Sequence, residues 1–297
     1  AAFGQVWHDH TTARLTLPAP QLVAMDYNIG VKGEGFEYIF GRGKGLVSIR
    51  YNGVQLLDDT VRPNFWRAPT NNDEGCAEPF ASAFWKTAGL YARCDNLTAE
   101  AKGEFVTVRA NYTLPDGQTL PIDFAIDGAG RCDITMTWQG EHTELPEFGL
   151  LFPLRRELTE VSYLGLGPRE TVADRTAGGK MGEWSYNVQQ DFAQYTPVYP
   201  QECGSRTGVY SATVTGSIPG IGFAGDGMTF SALPYTPHEL ENARHLYELP
   251  RDDSKTVVRC AAFQRGVGGD NSWGAKPHAD TCFAVEKGTS FRFMIQK

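Results

Sequence analysis

The segment VTVRANYTLPDGQTLPIDFAIDGAGRCDITMTW, residues 106–138, decides the fold of this 297-residue chain. Apolar side chains occupy every second position in three successive runs: Val106 to Tyr112, Leu120 to Ile126 and Cys132 to Trp138. Period-two alternation gives a strand one apolar face, and short glycine-containing turns join antiparallel neighbours. The segment therefore predicts a three-stranded antiparallel meander.

The same alternation recurs towards both ends of the chain. It runs from Phe36 to Phe40, from Val47 to Tyr51 before an Asn52-Gly53 hairpin signal, and from Phe291 to Ile295. With 33 Gly and 17 Pro residues, the chain is also rich in turn formers. These features predict an all-β, antiparallel fold.

Helices are expected at only two places. Thr236, Pro237 and Glu239 form a capping box, and the apolar residues that follow predict a helix of about three turns through Leu246. His245 is expected on this helix as a partly buried surface residue. A shorter helix is predicted over Phe80 to Ala88.

Composition narrows the class of protein. The chain is 41% hydrophobic and 21% charged, which is typical of a soluble globular protein. A net charge of −8 argues against nucleic-acid binding, which needs clustered Lys and Arg. No apolar run approaches the roughly 18 residues of a membrane span, so none is expected.

The sequence begins without Met or a signal peptide. We expect an excised piece of a longer protein, whose compartment, cytoplasm or periplasm, stays open.

The six cysteines are spread widely and form no CxxC pair. This spacing argues against a structural zinc site and against a disulfide scaffold. We expect buried free thiols.

Familiar catalytic motifs such as GxSxG, HExxH and the P-loop are absent from the sequence. Four segments nevertheless mix aromatic, charged and glycine residues in an unusual way: residues 62–75, 163–175, 230–235 and 264–278. In the last segment Trp273 follows three glycines, Asp270 and Asn271. A Trp face on such a loop suits the C–H face of a pyranose, and the Asn and Asp can bond its hydroxyls. Trp273 plugging the end of a β-sandwich is the equal alternative.

The polar stretch Asn71 to Glu74 allows two interpretations as well. Asn and Asp in turns often bond only their own backbone, and a ligand-contacting loop is the alternative. Arg67 could fork onto a carboxylate, and such Arg–Asp pairs are more often structural than catalytic.

Six stretches together resemble the C-terminal domain of the β-galactosidases of glycoside hydrolase family 2, and the small subunit of their two-chain versions. They are NFWRAPTNNDEG (64–75), LPEFGLLF (145–152), YLGLGPRE with DR (163–175), YPQECGSR (199–206), FSALPYTPHELENARH (230–245) and QRGVGGDNSWGAKPH (264–278). The resemblance implies a large antiparallel supersandwich similar to galactose mutarotase over residues 21–297. Residues 1–20 would then be the end of a preceding immunoglobulin-like domain.

The resemblance also implies a site that binds a β-galactoside such as lactose. Trp273 would be its aromatic platform, with Asn271, Asp270, Asn72, Asp73 and Gly75 nearby. The family usually has Asp where Asn71 and Asn271 stand. The catalytic glutamates would lie in an absent barrel domain, so this chain would hold no catalytic and no metal residue. Mg²⁺ and a monovalent cation would belong to the parent enzyme, which is expected to be a homo-oligomer.

Two other functions stay open at this point. One is a stand-alone carbohydrate-binding module. The other is an aldose 1-epimerase, which needs an acid and a base across the sugar ring. His245, His278 and Glu170 are its candidate residues.

Overall fold

A computed structural model describes residues 17–195, 199–271 and 273–297. Within them the chain forms nineteen β-strands: β1 Gln21–Ala24, β2 Asn28–Gly33, β3 Phe36–Gly41, β4 Gly45–Tyr51, β5 Val54–Gln55, β6 Arg62–Asn64, β7 Arg93–Lys102, β8 Phe105–Thr113, β9 Thr119–Asp127, β10 Cys132–Thr137, β11 Thr143–Leu145, β12 Glu147–Arg155, β13 Leu158–Gly167, β14 Lys180–Asn187, β15 Arg206–Gly216, β16 Ile221–Leu233, β17 Lys255–Gln264, β18 Phe283–Val285 and β19 Ser290–Gln296.

All strand pairs are antiparallel, in one sheet of five strands, one of twelve and a small β11–β18 pair. The meander predicted from residues 106–138 is confirmed as β8, β9 and β10. The hairpin predicted at Asn52-Gly53 joins β4 to β5, and both turn residues have positive φ, as a type I′ turn requires.

The twelve-stranded sheet branches at β16. One edge of β16 pairs with β15, whereas its other edge pairs first with β19 and then with β17. The other edge of β17 pairs with β12, and the far edge of β12 pairs with β6. Because β6 and β17 flank β12 and are both antiparallel to it, they run in the same direction. The chain therefore leaves both strands at the same edge of the sheet, beside Glu147.

A single large hydrophobic cluster joins the five-stranded and twelve-stranded sheets. Trp138 is at its most aromatic point, with Phe65, Trp85 and Phe148 around it at ring-centroid separations of 5.9 to 6.3 Å. Edge-to-face contacts of this kind add to the burial of apolar area. A second, smaller cluster lies under the segment that follows β16: Ala68, Phe192, Cys203, Leu233, Tyr235 and Leu240.

Five short helices are described: α1 Asn71–Gly75, α2 Glu78–Ala81, α3 Ala83–Ala88, α4 Val188–Ala193 and α5 Pro237–Asn242. The polar stretch 71–74, treated above as a loop, is thus helical. The helix predicted over Phe80 to Ala88 is two helices, because Ser82 leaves helical geometry and donates its hydroxyl to Glu78.

The helix after Thr236 has the predicted capping box but ends at Asn242, one turn earlier than expected. The backbone N–H groups of Arg244 and His245 donate to the Glu248 carboxylate instead of to helical carbonyls, which stops the helix. The prediction that places His245 on this helix is therefore wrong. A separate 3₁₀ turn follows at Leu246–Glu248.

None of the helices within the described ranges is long and apolar enough to cross a membrane. The assignment of residues 1–20 to a preceding domain stays a prediction, since residues 1–16 lie outside the described residues.

Candidate functional site

Helix α1 is fixed to the sheet by a buried clamp. The guanidinium of Arg67 donates to both carboxylate oxygens of Asp73, at 2.6 and 2.9 Å. The same carboxylate accepts the backbone N–H and the hydroxyl of Thr70, which completes the N-terminal cap of α1. Asp73 is only 2% exposed. Its side chain therefore stabilises α1 from the protein interior.

Arg67 also holds the glycine-rich segment that follows β17. Its second terminal nitrogen donates to the carbonyl oxygen of Gly266 at 2.9 Å. One buried side chain thus links two segments that are 199 residues apart. The common direction of β6 and β17 makes this contact possible.

The glycine-rich segment then runs along the surface and presents Trp273. Asp174 accepts the N–H of Gly268 at 2.6 Å, and Asn271 accepts the N–H of Trp273 at 2.8 Å. Trp273 is 91% exposed. It does not plug the end of the sandwich, so that alternative from the sequence is wrong. A single exposed apolar side chain is ordinary, so the distinguishing feature of Trp273 is the hydrogen-bonded backbone that carries it.

The end of this segment packs directly on α1. Gly274 has φ +91°, and a β-carbon there would lie 2.5 Å from the carbonyl oxygen of Gly75. A β-carbon on Gly75 would in turn lie 3.8 Å from the Gly274 α-carbon. Only glycine permits both the backbone angle and the approach at position 274.

A cleft of about 1020 Å³ lies beside these two segments. Its walls come from four separate parts of the sequence: residues 70–72, residues 170–177, residues 194–195 with 201–203, and residues 267–270 with 278–281. Three of these parts belong to segments whose composition is unusual in the sequence. The fourth unusual segment, 230–235, lies underneath and contributes Leu233 and Tyr235 to the small core below the cleft.

Four charged groups that line the cleft are held in two pairs. Glu170 forms an ion pair with Arg175 and accepts the N–H of Gly204, and burial raises the pKa of its carboxyl. Asp270 bonds His278 at 2.8 Å, and this hydrogen bond raises the pKa of the imidazole. Both pairs fix their side chains on the cleft wall.

Beneath the cleft, two buried glutamates share one arginine. Arg259 pairs with Glu202, which lines the cleft, and with Glu147 at 2.9 Å. Gln264 donates its amide to both carboxylates at 3.1 Å. Burial raises the pKa of Glu147 to about 7, because the nearby guanidinium compensates only part of the lost hydration.

The residues predicted from the sequence thus meet in one region but in different roles. Asn72 and Asp270 line the cleft, while Asn271 and Trp273 stand on the segment beside it. Asp73 faces inward, and Gly75 is the contact point for Gly274.

Sequence reasoning missed a further set of cleft residues: Tyr195, Gln201 and Glu202. The last two lie in the stretch YPQECGSR, which carries the family resemblance and was the available signal. Across the described parts of the chain, no three His, Cys, Asp or Glu side chains are grouped so that they could hold a metal ion.

Comparison with known proteins identifies the family. Residues 32–295 match the family model of the β-galactosidase small chain. This chain belongs to that family. A β-galactosidase of Lactobacillus delbrueckii subsp. bulgaricus is 38% identical over 284 residues, covering 93% of the chain and 28% of that enzyme. A β-galactosidase small subunit of Latilactobacillus sakei is 32% identical over 289 residues, covering 84% of the chain and 89% of the subunit.

The share of its own length that this chain covers differs between these relatives. The chain spans 28 to 29% of the first three β-galactosidases that it matches, yet nearly all of the separate Latilactobacillus subunit.

Among solved structures, the galactose 1-epimerase of Lactobacillus acidophilus NCFM superposes with a TM-score of 0.50 at 7% identity, over 94% of this chain and 97% of that one. The predicted antiparallel supersandwich of the galactose mutarotase type is confirmed.

Proposed function

We propose that this chain completes the sugar-binding site of a retaining β-galactosidase whose catalytic glutamates lie in a separate barrel domain or subunit. Membership of the small chain family and the small share of full-length relatives that it spans support this assignment. Membership of glycoside hydrolase family 2, with terminal β-D-galactosides such as lactose as substrates, is the finer part of the proposal. The Mg²⁺ and monovalent cation of such enzymes we assign to the catalytic part.

The observation that carries the proposal is the presentation of Trp273. Its ring is exposed, its backbone is held by Asn271, and its segment is fastened to the fold by Arg67 and Asp174. A flat aromatic face beside a polar cleft suits a pyranose, whose C–H groups stack while its hydroxyls bond to neighbouring amides and carboxylates. We therefore place the departing sugar of the substrate on Trp273.

We assign the pair of carboxyl groups that retaining hydrolysis needs to the catalytic part. That reaction uses two carboxyl groups about 5 Å apart, one as nucleophile and one as acid and base. Here Glu170 is paired with Arg175, Glu202 with Arg259 and Asp270 with His278. We expect the isolated chain to bind and orient sugar but not to cleave it.

A second candidate function rests on two other cleft residues. Glu170 and His278 line the same cleft, and a carboxylate with an imidazole is an acid–base set that can move protons between a sugar's anomeric hydroxyl and its ring oxygen. His245 lies outside the residues that line the cleft and stacks on Tyr247 with ring centroids 5.0 Å apart. Of the three candidate residues for an epimerase, Glu170 and His278 thus remain.

Proton NMR of freshly dissolved α-lactose with the purified chain distinguishes these functions. The proposal predicts that neither galactose release nor α-to-β conversion exceeds the buffer control. Release of galactose would contradict the assignment of the catalytic groups to another part. Faster anomeric conversion that disappears in Glu170→Gln and His278→Asn variants would establish the epimerase function instead.

A further inference from the structure

Phe80 is a large apolar side chain that the fold presents to water. It lies on the four-residue helix α2 and is 87% exposed. Exposing an aromatic ring forgoes the burial of some 150–250 Å² of surface. A single exposed apolar residue is ordinary, so the way in which this one is held is what matters.

Helix α2 is held rigidly by a buried ion pair. Glu78, at its first position, is buried and pairs with Arg265 while accepting the hydroxyl of Ser82. Ala77, just before the helix, has φ +59°, a left-handed conformation that costs a non-glycine residue about 1–2 kcal/mol. The chain thus turns sharply at a strained residue and anchors the next one in the interior. A well-packed turn and helix therefore present Phe80 to solvent.

Helix α2 and the turn before it contact the glycine-rich segment that carries Trp273. Arg265 directly precedes the glycine-rich segment, and Gly274 at the far end of that segment packs on Gly75 and Cys76 of the α1–α2 connection. One end of the segment that carries Trp273 is therefore tied to α2, which carries Phe80. The other end is tied to α1, which directly precedes α2. The two most exposed large hydrophobic side chains among the described residues stand on one structural unit.

We propose that Phe80 anchors the docking face for the catalytic part of the same enzyme, inserting into an apolar pocket of that part. This inference rests on the proposed function. The chain spans less than a third of the full-length β-galactosidases that it matches, so a large catalytic part must associate with it. If Trp273 contacts the sugar that this part holds, the part must approach the structural unit that carries both Trp273 and Phe80. Aromatic residues, Phe among them, are enriched in the cores of protein interfaces, and the side chains that contribute most to binding fill well-packed pockets.

Another exposed aromatic residue provides a matched control. Tyr27 is 86% exposed, almost the same fraction as Phe80, but lies in the turn between β1 and β2. Its turn belongs to the five-stranded sheet, whereas the glycine-rich segment follows β17 of the twelve-stranded sheet.

Site-specific photo-crosslinking in the whole enzyme tests the docking face. Two variants of the whole enzyme carry p-benzoylphenylalanine, one in place of Phe80 and one in place of Tyr27. Both are illuminated, and the linked peptides are identified by mass spectrometry. We expect residue 80 to link to the catalytic part at least tenfold more than residue 27 does. Equal links from both positions, or links from residue 80 only to a second copy of this chain, would overturn the proposal.

Hydrogen exchange provides a second test that needs no substitution. Backbone amides of residues 80–82 should exchange at least tenfold more slowly in the whole enzyme than in this chain alone, and equal rates would overturn the proposal. Neither test depends on Trp273. If docking fails while replacement of Trp273 still weakens lactose binding, the proposed function stands and only the docking face is wrong.

Discussion

The α-carbon of Gly274 packs against the carbonyl group of Gly75, so that a β-carbon at position 274 would lie 2.5 Å from that oxygen. This contact joins the segment that carries Trp273 to helix α1, which carries Asn72 at the cleft. The distance between two candidate sugar-binding elements therefore depends on a glycine.

Replacing Gly274 with Ala should push the two segments apart. We expect the KM of the whole enzyme for lactose to rise several-fold, in addition to a stability loss of about 1–2 kcal/mol from the left-handed backbone. Gly288 is the control, because its φ of +94° is nearly the same but no atom lies within 4 Å of its added β-carbon. Gly288→Ala should show the stability loss alone. A KM that rises equally in both variants would contradict the spacing role of Gly274.

Arg67→Lys should loosen α1 and the glycine-rich segment together. A lysine ammonium cannot donate to both oxygens of Asp73 and to the Gly266 carbonyl with the geometry of a guanidinium. We expect the free energy of unfolding in urea to fall by about 2–3 kcal/mol, since a buried charged contact is left poorly satisfied. Arg109→Lys, which alters an exposed bidentate pair with Asp123, should cost less than about 1 kcal/mol. Equal losses would show that the Arg67 clamp adds nothing beyond a surface ion pair.

Glu147 should make stability depend on pH. Its pKa of about 7 in the folded chain lies above the value of about 4.3 expected after unfolding. Between these values the folded chain keeps a proton that the unfolded chain has released, so its contribution to stability falls as pH rises from about 4.3 to about 7. Glu147→Gln removes this titration.

Urea unfolding of wild type and Glu147→Gln at pH 5 and pH 8 measures the effect. The free energy of unfolding of wild type, relative to that of the variant, should be lower at pH 8 by at least about 1 kcal/mol. A difference that is the same at both pH values would contradict the raised pKa.

The cysteines should separate into two classes in a thiol titration. Cys94, Cys132, Cys203 and Cys260 are buried, and burial raises the pKa of each thiol, to about 11 for Cys94. Cys76 and Cys282 are partly exposed. A disulfide reagent at pH 8 should therefore modify at most two thiols in the folded chain and all six after unfolding. Rapid modification of more than two in the folded chain would contradict the described burial.

Local pattern was sufficient for much of the fold. Strict alternation between Val106 and Trp138 predicts three strands, and the free state of the cysteines follows from their spacing. Helix ends were less predictable because they depend on side chains captured by the backbone. Glu248 takes the N–H groups that would have extended α5, and Ser82 divides the helix predicted over Phe80 to Ala88.

The candidate site was predictable only in part, because it is built by long-range pairing. Composition marks the glycine-rich segment and the polar stretch after Arg67 as unusual. That Arg67 reaches both Asp73 and Gly266 follows from the placement of β6 and β17 on either side of β12, which no local pattern states. The inward orientation of Asp73 has the same origin: the clamp makes it a support for the site.

Steady-state kinetics of the whole enzyme with lactose, for wild type, Trp273→Ala and Trp273→Phe, test the central claim most directly. The account predicts that Trp273→Ala raises KM about tenfold, a loss of roughly 1.4 kcal/mol of binding, with a smaller change in kcat. Trp273→Phe should recover most of the affinity because it restores an aromatic face. An unchanged KM for lactose in Trp273→Ala would contradict the claim that this chain completes the sugar-binding site.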